Sequence, residues 1–126
     1  MKTLAQRLMA CPRFRWMRGM YTTCGVLIHK GGNRSLHGYR QNKTGGALAV
    51  WTTGNHDHGY LPDLTDPATL GCLLALVEGR YGDGCYVQNL NGGLYGDGWV
   101  VFIDDQALTE RHQTRAHALV AALEAA

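Results

Sequence analysis

Three groups of side chains in this sequence have the type and spacing to do chemistry. His56, Asp57 and His58 form the most metal-like group: imidazoles at i and i+2 of an extended segment point the same way, and the carboxylate between them can ligate or orient. Two imidazoles are only half of a zinc site. His29, His37 or a cysteine would have to complete it through the fold, and a polar glycine-rich loop is the plainer account of residues 54–60. The second group is Asp97, Asp104 and Asp105, which stand near strand ends and read as solvated turn acids, not as an acid–base pair.

The third group consists of aromatics, an amide and guanidiniums: Trp51, Tyr86, Asn89, Tyr95, Trp99, Arg111 and Arg115. An arginine grips phosphate through two parallel N–H donors, an aromatic face stacks on a base, and an asparagine reads a base edge or a ribose. Arg111 and Arg115 are four residues apart near the start of the last helix, where free N–H groups also favour an anion. These seven residues are the candidate ligand-binding set. The competing reading puts Trp51 and Trp99 in the core and leaves both arginines as surface charge.

Other chemistries are excluded by what is missing. There is no nucleophile elbow, no HExxH and no serine besides Ser35, so a hydrolase has nothing to build on. GRYGDG at 79–84 lacks the order of a dinucleotide fingerprint and follows a helix instead of joining a strand to one. Neither a metal nor another cofactor is expected. The net charge of +2 is too small to suggest a nucleic-acid partner, although Arg7, Arg13, Arg15 and Arg18 make the first part of the chain basic. No apolar run approaches the roughly twenty residues of a membrane span, and a soluble intracellular protein without a membrane partner is expected. Cys11, Cys24, Cys72 and Cys85 show no CxxC spacing and read as reduced, structural thiols.

The elements that must position these residues follow from periodicity. A length of 126 residues suits a single domain, and clusters among the 17 glycines mark tight turns between short strands. Residues 3–10 form a short helix that Pro12 ends. RFRWMRGMYT then reads as an extended strand with Phe14 and Trp16 on one side and Arg13 and Arg15 on the other, a basic edge that could face phosphate. Strands are expected at 24–30, 36–40, 47–52, 85–90 and 99–104, with Tyr95 at the tip of the last hairpin. A helix over 66–79 starts with Asp66 as cap and Pro67 in its first position and stops at Gly79. Leu70, Leu73, Leu74 and Val77 form one face. Ala68, Gly71, Cys72 and Ala75 make the other small, so the helix should be covered on both sides. A final helix spans about 113–125. The whole is an α+β fold in which an antiparallel sheet of about four to six strands is packed by two main helices, with a short N-terminal helix.

LPDLTDPATLGCLLALV, together with CPRFRWMRGM and HALVAALEAA, resembles a family of small phage and prophage proteins in which a PDL-DPATLGCLLALV helix is followed by strands and an EALVAALEAA-type ending. The general layout is also similar, more weakly, to the phage α/β/α sandwich domain. Neither resemblance implies a catalytic residue, and residues 22–60 have no counterpart in the family. The resemblance implies a small phage protein, which without a catalytic signature is expected to be a binder and not an enzyme; the mild positive charge and the aromatic and arginine set favour a homo-oligomeric anti-defence sponge that sequesters a nucleotide immune second messenger, such as a cyclic oligonucleotide, without hydrolysing it in the cytoplasm of an infected bacterial host. One alternative is an inhibitor that docks on a host defence protein such as a CRISPR effector complex, whose surface would more often be strongly acidic. A second is a metal-dependent nucleotide-processing enzyme using the loop at His56, Asp57 and His58.

Overall fold

Thr3 opens the first helix by a reciprocal cap. Its hydroxyl accepts from the Gln6 N–H at 3.2 Å, and the Gln6 side-chain oxygen accepts from the Thr3 N–H at 2.9 Å. Helix α1 (Leu4–Ala10) ends at an extended Cys11, the conformation that Pro12 imposes on the residue before it. In the computed structural model, which describes residues 2–23, 27–30, 36–41, 47–52, 61–91 and 97–126, α1 is followed by β1 (Leu27–Lys30), β2 (Leu36–Gln41), β3 (Ala47–Thr52), α2 (Pro67–Tyr81), β4 (Cys85–Leu90), β5 (Gly98–Ile103), β6 (Gln106–Ala107) and α3 (Arg115–Glu124). The fold is α+β with antiparallel strands, two main helices and a short N-terminal one. The described strands form two three-stranded sheets, ordered β1-β2-β3 and β4-β5-β6. Two compact units divide the chain: Arg15–Thr69, and Met1–Phe14 with Leu70–Ala126, the boundary falling in the first turn of α2.

In the unit Arg15–Thr69, β2 pairs with β1 and with β3, and the register against β3 shifts between Gly38 and Tyr39 so that Val50 is the extra residue of a bulge. The expected strand over 13–18 does not form. Turns flank residues 14–17, and pairing begins only at Gly19, whose N–H donates to the Ile28 carbonyl at 2.9 Å, with Ile28 N–H returning to the Met20 carbonyl at 2.9 Å. Without a partner a strand has no ladder, yet the alternation survives in part: Trp16 is buried while Arg13 and Arg15 are exposed.

Asp66 caps α2 as its sequence requires. Its Oδ2 accepts from the Thr69 N–H at 2.8 Å and from the Thr69 hydroxyl at 2.9 Å, and that fully buried hydroxyl accepts from the Tyr21 N–H at 2.9 Å. The helix stop differs from expectation. Gly79 lies inside α2, and the chain turns instead at Gly82, with φ +101° and an N–H bonded to the Glu78 carbonyl at 2.7 Å, the left-handed termination that glycine adopts without strain. Of the expected apolar face Leu70, Leu73 and Val77 are buried, joined by Leu76, and Leu74 is half-buried; of the small face Ala68, Gly71 and Ala75 are exposed and Cys72 is half-buried, so that face is mostly open.

In the other unit, α3 packs on β4 and β5 and buries Ala116, Ala118, Leu119, Val120, Ala122 and Leu123. Helix α1 packs on α3. The Arg7 guanidinium pairs with the Glu124 carboxylate at 2.5 Å, and the Cys11 thiol donates to the Leu123 carbonyl at 3.4 Å. Tyr81, in the last turn of α2, donates its hydroxyl to the Ala122 carbonyl at 3.3 Å. Cys11, Cys72 and Cys85 are reduced, and Cys24 lies outside the described residues. Among the described residues no helix is long and apolar enough to cross a membrane.

Two variants read out where α2 ends. Gly79→Ala, with nothing within 4 Å of an added Cβ, should stabilise the protein by about 0.5–1 kcal/mol, whereas Gly82→Ala should destabilise it by about 1–2 kcal/mol in denaturant titrations. Asp66→Ala should cost about 1 kcal/mol in the same measurement.

Candidate functional site

The pairing of β4 with β5 sorts the candidate residues onto two faces. Directly opposed residues of an antiparallel pair share a face, so Tyr86 with Phe102, Gln88 with Val100 and Leu90 with Gly98 lie on one side, and Cys85 with Ile103, Val87 with Val101 and Asn89 with Trp99 lie on the other. On the first face the Tyr86 and Phe102 rings stack, with centroids 5.3 Å apart and planes 14° from parallel. Beyond Ile103 the chain reverses in a two-residue turn. Asp104 and Asp105 both take positive φ, 45° and 68°, as the tight primed hairpin turn requires, and the return strand β6 pairs Gln106 with Ile103 and Ala107 with Phe102. The return continues along β5. Leu108 N–H donates to the Val101 carbonyl at 2.7 Å, Thr109 Oγ1 accepts from the Val101 N–H at 3.2 Å, and Trp99 and His112 exchange backbone hydrogen bonds at 2.8 and 2.9 Å.

This return leaves a groove of about 810 Å³ lined by Leu90, Val100, Phe102, Asp105, Ala107, Thr109, Glu110 and Arg111. The size falls within the range of small-molecule sites. Its floor is apolar and aromatic, and its polar groups are arranged by the register. Phe102 and Asp105 stand at the turn end. Arg111 stands at the Leu90–Gly98 end, so close that a Cβ on Gly98, at φ +144°, would lie 2.9 Å from the Arg111 Cβ. Four residues of strand separate Gly98 from Phe102, about 13 Å. The Tyr86 hydroxyl donates to Asp105 Oδ1 at 3.2 Å. Loss of water around the phenol, then this hydrogen bond and the carboxylate's charge, raise its pKa above the ordinary value, so Tyr86 remains a donor through neutral pH.

Of the seven expected binding residues, the groove thus includes Arg111 in its lining and adjoins Tyr86. Asn89 and Trp99 are cross-strand neighbours on the opposite face, Asn89 exposed and Trp99 half-buried. Arg115 is the first residue of α3, behind the Thr114 cap whose hydroxyl accepts from the His117 N–H at 3.0 Å, whereas Arg111 precedes the helix in the paired return segment. The two arginines therefore do not share a helix end. Trp51 is placed by its backbone in β3, opposite Gly38, in the unit Arg15–Thr69. Tyr95 and the loop at His56, Asp57 and His58 lie outside the described residues, among which no cluster of three or more His, Cys, Asp or Glu is placed to hold a metal ion.

Phe102, Thr109 and Glu110 are groove residues outside the expected set, and Asp105 enters the sequence reading only as a turn acid. Phe102 was visible as a strand residue two positions from Val100, but only the pairing with Tyr86 shows which face it shares. Asp105 looked like a turn acid, which it is, and the turn is what sets it beside the stacked rings. Cys85 offers no nucleophile: burial first, then the charges of Glu78, Asp104 and Asp83, push its thiol up and keep it protonated. No family model, no curated protein and no solved structure matches this chain.

The Tyr86 pair is open to measurement. Because its folded pKa is raised, its contribution to stability is present below the ordinary tyrosine value of about 10 and is lost as pH rises through the raised one. A spectrophotometric titration, with Tyr86→Phe subtracted to isolate this phenol, should show it ionising above pH 10. Asp105→Asn should bring it only part of the way back, since desolvation is the larger cause.

Proposed function

We propose that this chain is a phage-encoded capture protein that binds a nucleotide-derived immune messenger as a homo-oligomer and withholds it without breaking it down. The observation that carries the reading is the groove beside β5, whose lining has Phe102, stacked on Tyr86, at one end and Arg111 at the other, the strand positions that carry them about 13 Å apart. That arrangement suits a ligand with a planar ring at one end and a phosphate at the other. Thr109, Asp105 and Glu110 add hydrogen-bonding groups for ribose and base without supplying an activated nucleophile. The phage origin and the anti-defence role are supported by the resemblance of DPATLGCLLALV and the ALVAALEAA ending to phage proteins. The ligand-binding set in this reading is centred on Tyr86, Phe102, Asp105 and Arg111.

Isothermal titration of the purified protein with a panel of cyclic di- and oligonucleotides tests it. At least one should bind, and heating the complex should release it intact. Arg111→Ala should weaken that binding about tenfold or more, the loss expected for one charge-assisted contact. Binding of none of the panel overturns the reading, and release of altered nucleotide replaces it with an enzyme.

A further inference from the structure

Resting on that reading, we infer that Asp105 makes the groove selective for a guanine base, with the ring against the Tyr86–Phe102 end and the phosphate at Arg111. Asp105 is the acidic residue of the described lining at the aromatic end, since Glu110 is next to Arg111 at the other. Its carboxylate is held in place twice. The backbone is fixed by the two-residue turn at φ 68°, and Oδ1 accepts from the Tyr86 hydroxyl at 3.2 Å. Among the described residues Oδ2 has no hydrogen-bond partner, and an ionised carboxylate has only acceptors to offer.

The bases differ in what they present to such a group. Guanine places two donors side by side, N1–H and N2–H₂, and these match the two oxygens of a carboxylate. Adenine and cytosine each set a ring-nitrogen acceptor beside an amino group, so one carboxylate oxygen would meet a lone pair, and uracil flanks its single N–H with carbonyls. At neutral pH the phenol is protonated, as any tyrosine is, and donates to Asp105 Oδ1. The charge of Asp105 bears little on the phosphate, although Glu110 beside Arg111 lessens the attraction there. About 13 Å of strand separates the two ends of the groove, more than the Debye length of about 8 Å at physiological ionic strength.

The test compares guanosine and adenosine 5′-monophosphate by isothermal titration against the wild-type chain, Asp105→Asn and Tyr86→Phe. The wild-type protein should prefer the guanine nucleotide by about tenfold or more, as for a bidentate base contact. Asparagine tolerates positive φ, so Asp105→Asn should keep the turn while exchanging one acceptor for a donor. That change should reverse the preference toward adenine. Tyr86→Phe, which leaves the turn untouched, should narrow the preference by releasing the carboxylate. Equal affinity of the wild-type protein for both nucleotides, or an unchanged preference in Asp105→Asn, overturns the guanine inference and leaves the capture reading standing. Binding of neither nucleotide, nor of any cyclic messenger, overturns both.

Discussion

The register of β4 against β5 is the constraint on which the C-terminal unit depends. Six consecutive pairs run from Cys85–Ile103 to Leu90–Gly98. A slip of one residue would move Tyr86 or Phe102 off the groove face, because strand side chains alternate with a period of two. The turn at Asp104 and Asp105 then brings the chain back along the second edge of β5. Its backbone groups are met there by Gln106–Leu108, Thr109 and His112. This makes β5 the central strand and gives the groove both its floor and its wall.

Most of the buried core of this unit lies away from the groove, with Val100 belonging to both. Val101 is fully buried on the face opposite the groove, and Leu119, Val120 and Leu123 of α3 are buried as well. The groove's described lining includes no residue of α3. Ligand-contacting side chains can therefore change with little effect on the packed helix, while Gly98 cannot take a side chain without meeting Arg111. The cap of α2 is a separate device. There a fully buried threonine hydroxyl accepts from Tyr21 and donates to Asp66, so it is satisfied both as donor and as acceptor inside the unit Arg15–Thr69.

Much of the fold was legible because local rules set it. The apolar period of residues 3–10 ended by Pro12, Asp66 with Pro67, and the apolar, β-branched and aromatic runs CYVQNL and WVVFI between glycine turns place α1, α2, β4 and β5 within a residue or two of where they are. The end of α2 is not legible in the sequence, because glycine serves both as an interior residue of low propensity and as a left-handed stop, and a sequence does not show φ. The RFRWMR stretch looked like a strand because its side chains alternate, but a strand also needs a neighbour with free backbone groups. The site was less legible than the fold. Asn89 and Trp99 have the same residue types as a base-reading pair, yet the pleat sends them to the face away from Tyr86.

By itself the amino-acid sequence determined the antiparallel α+β character, the helix starts, and the supply of arginines and aromatics, since capping, periodicity and composition act over a few residues. Tertiary structure alone decided which of those residues meet. Tyr86 comes to stack on Phe102 and to hold Asp105 because a hairpin and a two-residue turn join positions 16 and 19 residues apart. That contact is set by register and by the sign of φ at Asp105, which arise only when the strands pair.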